Sequence, residues 1–338
     1  MNLAALQGQQ ASAIPWAIGV RCTGVSRARV EESFARGELV RSWPMRGTVH
    51  VTSARDHHWL RRLLRHRRAA WERQALSLGL TDALVERAAQ VACDLLETSP
   101  LGVSRVELVE AWGRNGIDTV TASSSQEGLR RRHLIMRLHL DGVLTAGPVR
   151  AGEHLIVDAR SLPAAPGVAK GEPGHEEALA VLAARYAWGH GPIDEADLAR
   201  WTGLTLTEAR RALAGARVAG ESVGLPLAEC GGGLARADLA DLVEDYRVEA
   251  EAMHALPSFD ELHVGYKDRS CLTDEAGEAL ICPAKNGMFR PIVVEGGRVV
   301  AVRAPGREIV MVKGYESRQR PAARAFDDWE KWLSETQQ

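Results

Sequence analysis

A run of arginines near residue 60 holds the side chains best suited to bind an anion. The segment from Arg55 to Arg68 has an apolar leucine stripe, and arginines cover most of the remaining surface of the predicted helix. Five of the arginines have no acidic residue between them: Arg61, Arg62, Arg65, Arg67 and Arg68. Because an unneutralised guanidinium cluster is suited to phosphate contact, the run favours nucleic-acid binding. The alternative is a solvated helix face.

A second group of polar side chains lies on a predicted β-hairpin directly before this run. Apolar and polar residues alternate over residues 39–43 and 48–52, which predicts two short strands. Pro44 cannot donate a hydrogen bond to a neighbouring strand, so we expect the turn at residues 44–46. Arg41, Arg46 and His50 then give the hairpin polar reach, which would suit contact with phosphate. Hairpin surface or core packing is the alternative for them.

Several kinds of active site are excluded by the residue types and their spacing. No His-Glu-x-x-His motif, Ser-His-Asp order or Cys/His cluster occurs, so we expect no metal and no cofactor. Five cysteines are scattered without a Cys-x-x-Cys pair, which predicts reduced, buried thiols and a cytoplasmic protein; they are Cys22, Cys93, Cys230, Cys271 and Cys282. No apolar stretch reaches the roughly eighteen residues of a membrane span, and the N-terminus lacks the basic start of a secretory signal.

The order of predicted elements indicates a mainly α protein with small β-hairpins, built from tandem winged-helix units and a C-terminal β-rich subdomain. We predict a first unit at 1–81, short at its N-terminus and including the basic helix, a second at 82–158 and a third at 176–230. A Pro- and Gly-rich linker occupies 159–175, and strands with a terminal helix occupy 231–338. In the second unit, we expect Ser104 and Glu107 to form a capping box, and Arg130 and Arg131, which point partly outward, to bind nucleic acid.

Local signals predict several smaller features within these units. They are a helical end at residues 1–9, a long helix from Asp82 to Leu96, a hairpin turn at Gly147-Pro148, a wing at residues 218–227, a flexible joint at Gly231-Gly232-Gly233 and a strand at residues 259–264.

The formal net charge is −2, so affinity for nucleic acid must come from a local patch. Winged helices also serve as protein-binding modules, so the predicted fold leaves the function open. Binding of DNA and binding of protein alone are both compatible with tandem units of this kind.

Four sequence blocks, in the same order along the chain, resemble the winged-helix DNA glycosylases of the AlkZ/YcaQ type. They are Leu6–Gln9, Leu39–Val51, Leu256–Ser270 and Asn286–Pro291. The resemblance implies tandem winged helices arranged as a clamp on DNA. It also implies excision of N7-alkylated purines, including purines that form interstrand crosslinks.

The first block implies where the chemistry takes place. Gln7-Gly8-Gln9 is similar to the Gln-x-Gln motif of the AlkZ-like branch, with Gly8 where the family has an aliphatic residue. The resemblance implies that Gln7 and Gln9 hold a water molecule and the sugar. Without the resemblance, two glutamines near a terminus are more typical of solvated surface. In the third block, we expect Lys267 and Arg269 to touch DNA, with charge pairing around Asp268 as the alternative.

The resemblance therefore predicts a monomeric, cytoplasmic, nucleoid-associated DNA repair glycosylase that hydrolyses the N-glycosidic bond of N7-alkylpurines. Its partner would be double-stranded DNA that is alkylated or crosslinked. No lysine stands out for Schiff-base chemistry, so a monofunctional enzyme is expected. The alternative is a winged-helix DNA-binding protein or regulator without catalysis.

Overall fold

The computed structural model describes residues 3–65, 69–117, 124–163 and 169–335. Helices and small antiparallel sheets alternate along the chain, in agreement with the predicted fold class. The chain forms two compact units. The first comprises Leu3–Leu6 and Glu31–Leu179, and the second comprises Gln7–Val30 and the residues from Ala180 onward.

The first unit combines helices with an antiparallel sheet. Its helices are α2 (Arg27–Ala35, which begins in the second unit), α3 (Ala54–Leu63), α4 (Ala69–Ser77), α5 (Asp82–Glu97), α6 (Arg105–Arg114) and α7 (Ser124–Leu140). Its strands are Leu6 of β1 (Leu6–Gln7), β2 (Leu39–Met45), β3 (Thr48–Ser53), β4 (Leu144–Arg150) and β5 (Glu153–Asp158), in the spatial order β1, β3, β2, β4, β5. A 3₁₀ turn follows at Ala159–Ser161.

The two hairpins of this sheet form where alternation predicts them, but their turns lie elsewhere. Arg46 and Gly47 both have positive φ, 54° and 67°, and connect β2 to β3. Ala151 and Gly152 do the same between β4 and β5, with φ of 51° and 81°. The turn predicted at residues 44–46 therefore lies at residues 46–47, and the turn predicted at residues 147–148 is wrong. Each proline instead lies inside a strand, at an irregularity of the pairing register that removes the need for its missing N–H.

A continuous apolar core holds helices α5, α6 and α7 against the sheet. Trp112 is fully buried, and its indole N–H donates to the carbonyl of Ala88 at 3.0 Å. Leu108, Leu134 and Ile156 belong to the same cluster. The predicted capping box at the start of α6 is confirmed, because Ser104 and Glu107 bond to each other's backbone N–H groups.

The second unit holds the remaining elements. Its helices are α1 (Ile14–Gly19), α8 (His175–His190, which begins in the first unit), α9 (Glu195–Thr202), α10 (Leu206–Ser222), α11 (Leu239–Asp245), α12 (Arg247–Glu251), α13 (Glu261–Val264), α14 (Glu275–Ile281) and α15 (Gln319–Ser334). Its strands are β6 (Leu227–Cys230), β7 (Gly233–Arg236), β8 (His254–Leu256), β9 (Ile292–Glu295), β10 (Arg298–Arg303) and β11 (Ile309–Met311). Short 3₁₀ turns lie at Ala11–Ala13, Pro305–Arg307 and Glu316–Arg318.

Three sequence predictions in this unit are corrected by the structure. Residues 218–227 are not a wing, because α10 continues to Ser222 and the hairpin is formed by β6 and β7. The triglycine is not a flexible joint, since Gly231 and Gly232, both with positive φ, make the turn of that hairpin. The boundary predicted between residues 230 and 231 thus falls inside one hairpin. Residues 259–264 are not a strand but contain the short helix α13.

The N-terminal segment packs against the C-terminal half of the chain. The indole N–H of Trp16 donates to the carbonyl of Ala255 at 2.8 Å, and its ring meets that of Trp332 with centroids 5.1 Å apart. Gly19 leaves room for the Trp332 ring. The predicted unit 1–81 is therefore divided between the two compact units. The predicted helical end at residues 1–9 is also wrong, because Leu6 and Gln7 form strand β1.

The cysteines are free, but three of the five are exposed rather than buried: Cys22, Cys230 and Cys271. Over the residues that the structure describes, no helix combines the length and the apolar character needed to cross a membrane.

Candidate active site

The Gln7-Gly8-Gln9 segment lies between strand β1 and the 3₁₀ turn at Ala11–Ala13. Gly8 is buried, and Gln7 and Gln9 are partly buried on either side of it, whereas the next residue, Gln10, is exposed. The segment is therefore fixed at its centre while both glutamines remain accessible in part. Within the second unit, the backbone of Gln7 is bonded to an acidic residue 254 positions further along the chain.

Glu261 is the residue that contacts the backbone of this segment. Its side chain is 3% exposed. Oε2 accepts a hydrogen bond from the backbone N–H of Gln7 at 2.8 Å, and Oε1 accepts one from the indole N–H of Trp201 at 2.6 Å. Nε2 of His190 lies 3.1 Å from Oε1. A buried carboxylate is tolerated when donors satisfy its oxygens, and here the donors come from three distant parts of the chain.

Asp260 ties the same N-terminal segment to the unit at a second point. Its fully buried carboxylate receives both terminal nitrogens of Arg21, at 2.6 and 2.9 Å. Burial by itself would lower the pKa of Arg21, but this bidentate carboxylate outweighs it, so the pKa is raised and the cation is maintained. Asp260 also accepts from the backbone N–H of Leu262, which caps helix α13.

Aromatic rings support the Glu261 carboxylate from behind. Tyr186 stacks on His190 and on Trp201, with ring centroids 4.4 and 4.8 Å away. The Tyr186 hydroxyl donates to the carbonyl of Gly265 at 2.6 Å, and the Tyr266 hydroxyl donates to that of His190 at 2.9 Å. Burial, together with the nearby carboxylate of Glu261, raises the pKa of Tyr266. The carboxylate therefore sits in a rigid setting.

An open cavity of about 510 Å³ lies beside this arrangement, with Gln10 and Phe259 in its wall. Phe259 is buried and has a φ of 61°, an unusual backbone conformation for an aromatic residue that turns the chain directly before Asp260. Phe259 and Phe289 meet edge to face, with centroids 5.6 Å apart. Among the residues that the structure describes, no acidic side chain lines the cavity, whereas three arginines do: Arg290, Arg303 and Arg307.

The hairpin residues of the first unit are less accessible than the sequence suggested. His50 is fully buried, with Nδ1 3.1 Å from the carbonyl of Thr48 and Nε2 3.5 Å from the Arg46 guanidinium. Burial lowers the pKa of Arg41 to about 10. Arg46 is partly buried at the turn. The structure therefore brings Arg46 and His50 together. Because His50 is fully buried, its side chain does not reach the surface where a phosphate would bind.

The basic helix is neutralised in part by acidic residues outside the run. Arg61 is buried, and its guanidinium donates to the carbonyl of Leu140 at 2.8 Å, so a phosphate-binding role for it is wrong. Arg62 lies 3.4 Å from Glu172, and Arg65 lies 3.1 Å from Asp141. The expectation of an unneutralised run is therefore wrong for these two. Arg68 and Arg67 lie outside the described residues.

The remaining predicted DNA contacts differ in how free their side chains are. Arg130 donates to the carbonyl of Leu78 at 3.0 Å, and Arg131 lies 3.7 Å from Glu127. Arg269 lies 3.3 Å from Glu278, a partner outside the pairing predicted around Asp268. Lys267 is exposed, and its backbone N–H donates to Asp197 at 2.7 Å, which fixes the position of the lysine.

Sequence reasoning missed the acidic pair and its partners. Asp260 and Glu261 lie inside the third sequence block, where Lys267 and Arg269 were predicted to touch DNA and no role was predicted for the two acids. A usable signal was present: two adjacent acids follow a phenylalanine in an otherwise apolar stretch, which indicates buried and therefore partnered carboxylates. Among the described residues, no group of histidine, cysteine or acidic side chains could hold a metal ion.

The comparisons with known proteins agree with this arrangement of elements. Among solved structures, Streptomyces sahachiroi DNA glycosylase AlkZ matches with a TM-score of 0.64 and 22% sequence identity, over 96% of this chain and 89% of that chain. The fold is therefore shared with a DNA glycosylase. The sequence model of the family described as DNA glycosylase AlkZ-like matches residues 1–323. No curated protein matches the sequence significantly.

The chain belongs to the AlkZ-like DNA glycosylase family. The resemblance found in the four sequence blocks is thereby confirmed. Membership makes the protein a DNA-binding hydrolase of DNA repair, whose substrate is DNA and whose reaction is cleavage of an N-glycosyl bond.

Proposed function

We propose that this glycosylase hydrolyses the N-glycosidic bond of N7-alkylated purines and that Gln7 and Gln9 position the attacking water and the sugar. The observation that carries the proposal is the anchoring of Gln7 by Glu261 while both glutamine side chains remain partly accessible. A segment that is fixed through its backbone can present its side chains in a defined orientation to a bound substrate.

The leaving group explains why neutral amides are sufficient. Alkylation at N7 gives the purine a positive charge, so the bond between C1′ and N9 breaks with the electron pair moving to a base that leaves as a neutral molecule. Charge then develops on the sugar as an oxocarbenium-like species. Water attacks C1′ and loses its proton to the surroundings, because an amide is a poor general base. The amide oxygen accepts a hydrogen bond from that water, and the amide N–H₂ remains free to donate.

The reaction requires no covalent enzyme intermediate, so the product is a free base and an intact strand with an abasic site. We propose a monofunctional enzyme for this reason. The same chemistry at one end of an interstrand crosslink would release the two strands from each other. We further propose that the helix-and-hairpin segments act as winged-helix units that bind the duplex and that the protein acts as a monomer.

The direct test is release of 7-methylguanine from duplex DNA by the purified protein. We expect release under single-turnover conditions and an abasic product that is cleaved only after alkali treatment. Strand cleavage without alkali would contradict the monofunctional assignment. Sequence-selective binding of undamaged DNA without any base release would instead favour the alternative of a DNA-binding protein without catalysis.

A further inference from the structure

We infer that Glu261 is a positioning residue for the reaction: its buried carboxylate sets the orientation of the Gln7–Gln9 segment relative to bound DNA. This inference rests on the proposed function of the two glutamines. It assigns a role to a side chain that would not itself touch the substrate.

The geometry gives Glu261 a specific structural task. Strand β1 ends at Gln7, so the next backbone groups pass out of regular secondary structure before the 3₁₀ turn at Ala11–Ala13. The N–H of Gln7 points to Oε2 of Glu261, and this contact fixes the first motif residue at the point where the strand stops. With Gly8 as its central residue, the segment can adopt more backbone conformations than it could with an aliphatic residue at this position. An external anchor is therefore needed to select one conformation.

The carboxylate is itself held rigidly, which is a requirement for a positioning group. Trp201 and His190 both contact Oε1, and these two side chains lie on helices α9 and α8. The orientation of the His190 ring is fixed in turn by Nδ1, which lies 3.2 Å from the carbonyl oxygen of Tyr186. Oε2 is thus left to face Gln7, and the contact joins the motif to two helices of the second unit.

A role as general base fits this carboxylate less well. Its side chain is 3% exposed, and both oxygens are already engaged by donors from the protein. A general base must reach the proton of the attacking water directly or through one further water. Rigid burial behind the motif suits orientation of the segment, and the experiment below separates the two roles.

The variant Glu261→Gln keeps the size of the side chain and removes an acceptor, so that one of the donors loses its partner. Glu195→Gln is the matched control, because it makes the same chemical change at an exposed carboxylate that pairs with Arg210 and does not contact the motif. For Glu261→Gln we expect the single-turnover rate of 7-methylguanine release to fall by about tenfold or more, with DNA affinity within about threefold of wild type. Amide hydrogen exchange of residues 6–9 is expected to accelerate. Glu195→Gln is expected to keep the wild-type rate and the slow exchange.

Each outcome bears on the inference. A wild-type rate in Glu261→Gln overturns it, and so does a lower rate with unchanged exchange at residues 6–9, which is the result expected of a general base. An equal loss of rate in Glu195→Gln also overturns it, because the effect would then not be specific to the buried carboxylate. If Glu261→Gln does not fold, Glu261→Asp is measured in the same way, with an intermediate rate and intermediate exchange expected.

The inference and the proposed function fail separately. Gln7→Ala and Gln9→Ala variants that release the base as fast as wild type would contradict the proposed function. If those two variants are slow while Glu261→Gln is as fast as wild type, the glutamines keep their role and only the positioning role of Glu261 is lost.

Discussion

The backbone N–H of Gln7 donates a hydrogen bond to the buried carboxylate of Glu261, with the nitrogen and Oε2 2.8 Å apart and the two residues separated by 254 positions in sequence. This contact lies within the compact unit that contains residues 7–30 and the residues from Ala180 onward. The candidate catalytic segment near the N-terminus is therefore held by a residue from the C-terminal half of the chain.

The Arg21–Asp260 ion pair should make a large contribution to the stability of this arrangement. We expect Arg21→Met to lower the free energy of unfolding by about 2–3 kcal/mol, because it leaves the buried Asp260 carboxylate without its bidentate partner; the partial exposure of Arg21 reduces the usual cost. Denaturant titration measures the change. Arg36→Met, which breaks an exposed pairing with Glu38, is the control and should change little. Equal losses in the two variants would show that the buried pair has no special weight.

The N-terminal segment illustrates what the sequence could and could not predict. Alternation and capping residues located strands β2 and β3 and helices α5 and α6, because these signals are local. The attachment of residues 7–30 to the second unit depends on contacts between distant positions, such as Trp16 with Ala255. A single sequence contains no local signal for such contacts.

The predictions of the two hairpin turns failed for a different reason. Proline was interpreted as a mark of the turn at Pro44 and again at Pro148, whereas both prolines lie within strands at register irregularities. The turns are made by Arg46 and Ala151, each followed by a glycine and each in the left-handed region of φ. Non-glycine residues seldom adopt that conformation, so the turn positions were not evident from residue type.

The candidate site shows the same difference between local signals, which the sequence contains, and burial, which only folding produces. The Gln-x-Gln motif could be found because the resemblance gave it a meaning, and Lys267 could be chosen as an exposed cation. Arg61 and His50 could not be recognised as buried, since their burial comes from packing within the first unit. The acidic pair at residues 260–261 could have been predicted from the sequence, because buried carboxylates need partners.

Packing of helix α1 against helix α15 can be tested with a single methyl group. A Cβ at Gly19 would collide with the Trp332 ring, so we expect Gly19→Ala to lower the free energy of unfolding by about 1–3 kcal/mol. At Gly113, in the exposed part of α6, nothing lies near the added methyl group, and Gly113→Ala should raise stability by about 0.5–1 kcal/mol through helix propensity. Thermal or denaturant unfolding measures both. If both substitutions changed the free energy of unfolding in the same direction, the packing described for α1 would be contradicted.

Stability should fall on acidification because of a buried histidine in the first unit. Burial, with smaller contributions from His58 and Arg61, lowers the pKa of His57 to about 3. Its folded pKa thus lies below the unfolded value of about 6.5, so the contribution is fully present above pH 6.5 and is lost as the pH falls towards 3. The slope due to this residue is about 1.4 kcal/mol per pH unit.

Replacement of His57 tests this linkage. We expect His57→Leu to reduce the dependence of unfolding free energy on pH between 6 and 4 by about that slope, measured by denaturant titration at several pH values. His254→Gln, at a partly exposed position on strand β8, serves as the control. An undiminished pH slope in His57→Leu would contradict the assignment of a neutral His57 to the folded state.

Lys267 should contribute one phosphate contact to DNA binding. We expect Lys267→Gln to weaken binding of duplex DNA and to reduce the slope of log affinity against log salt by about 0.9. Arg62→Gln removes a cation that is already paired with Glu172 and should change the slope less. Fluorescence anisotropy over a range of salt concentrations measures both slopes. An unchanged slope for Lys267→Gln would remove this residue from the proposed DNA surface.

The most direct test of the account is the single-turnover rate of 7-methylguanine release by three neighbouring glutamine variants. We expect Gln7→Ala and Gln9→Ala to lose at least about a hundredfold in rate, because the water and the sugar would no longer be positioned. Gln10→Ala, whose side chain is exposed and bonds to Ser12, should retain the wild-type rate. Wild-type rates in Gln7→Ala and Gln9→Ala, or an equal loss in all three variants, would contradict the account.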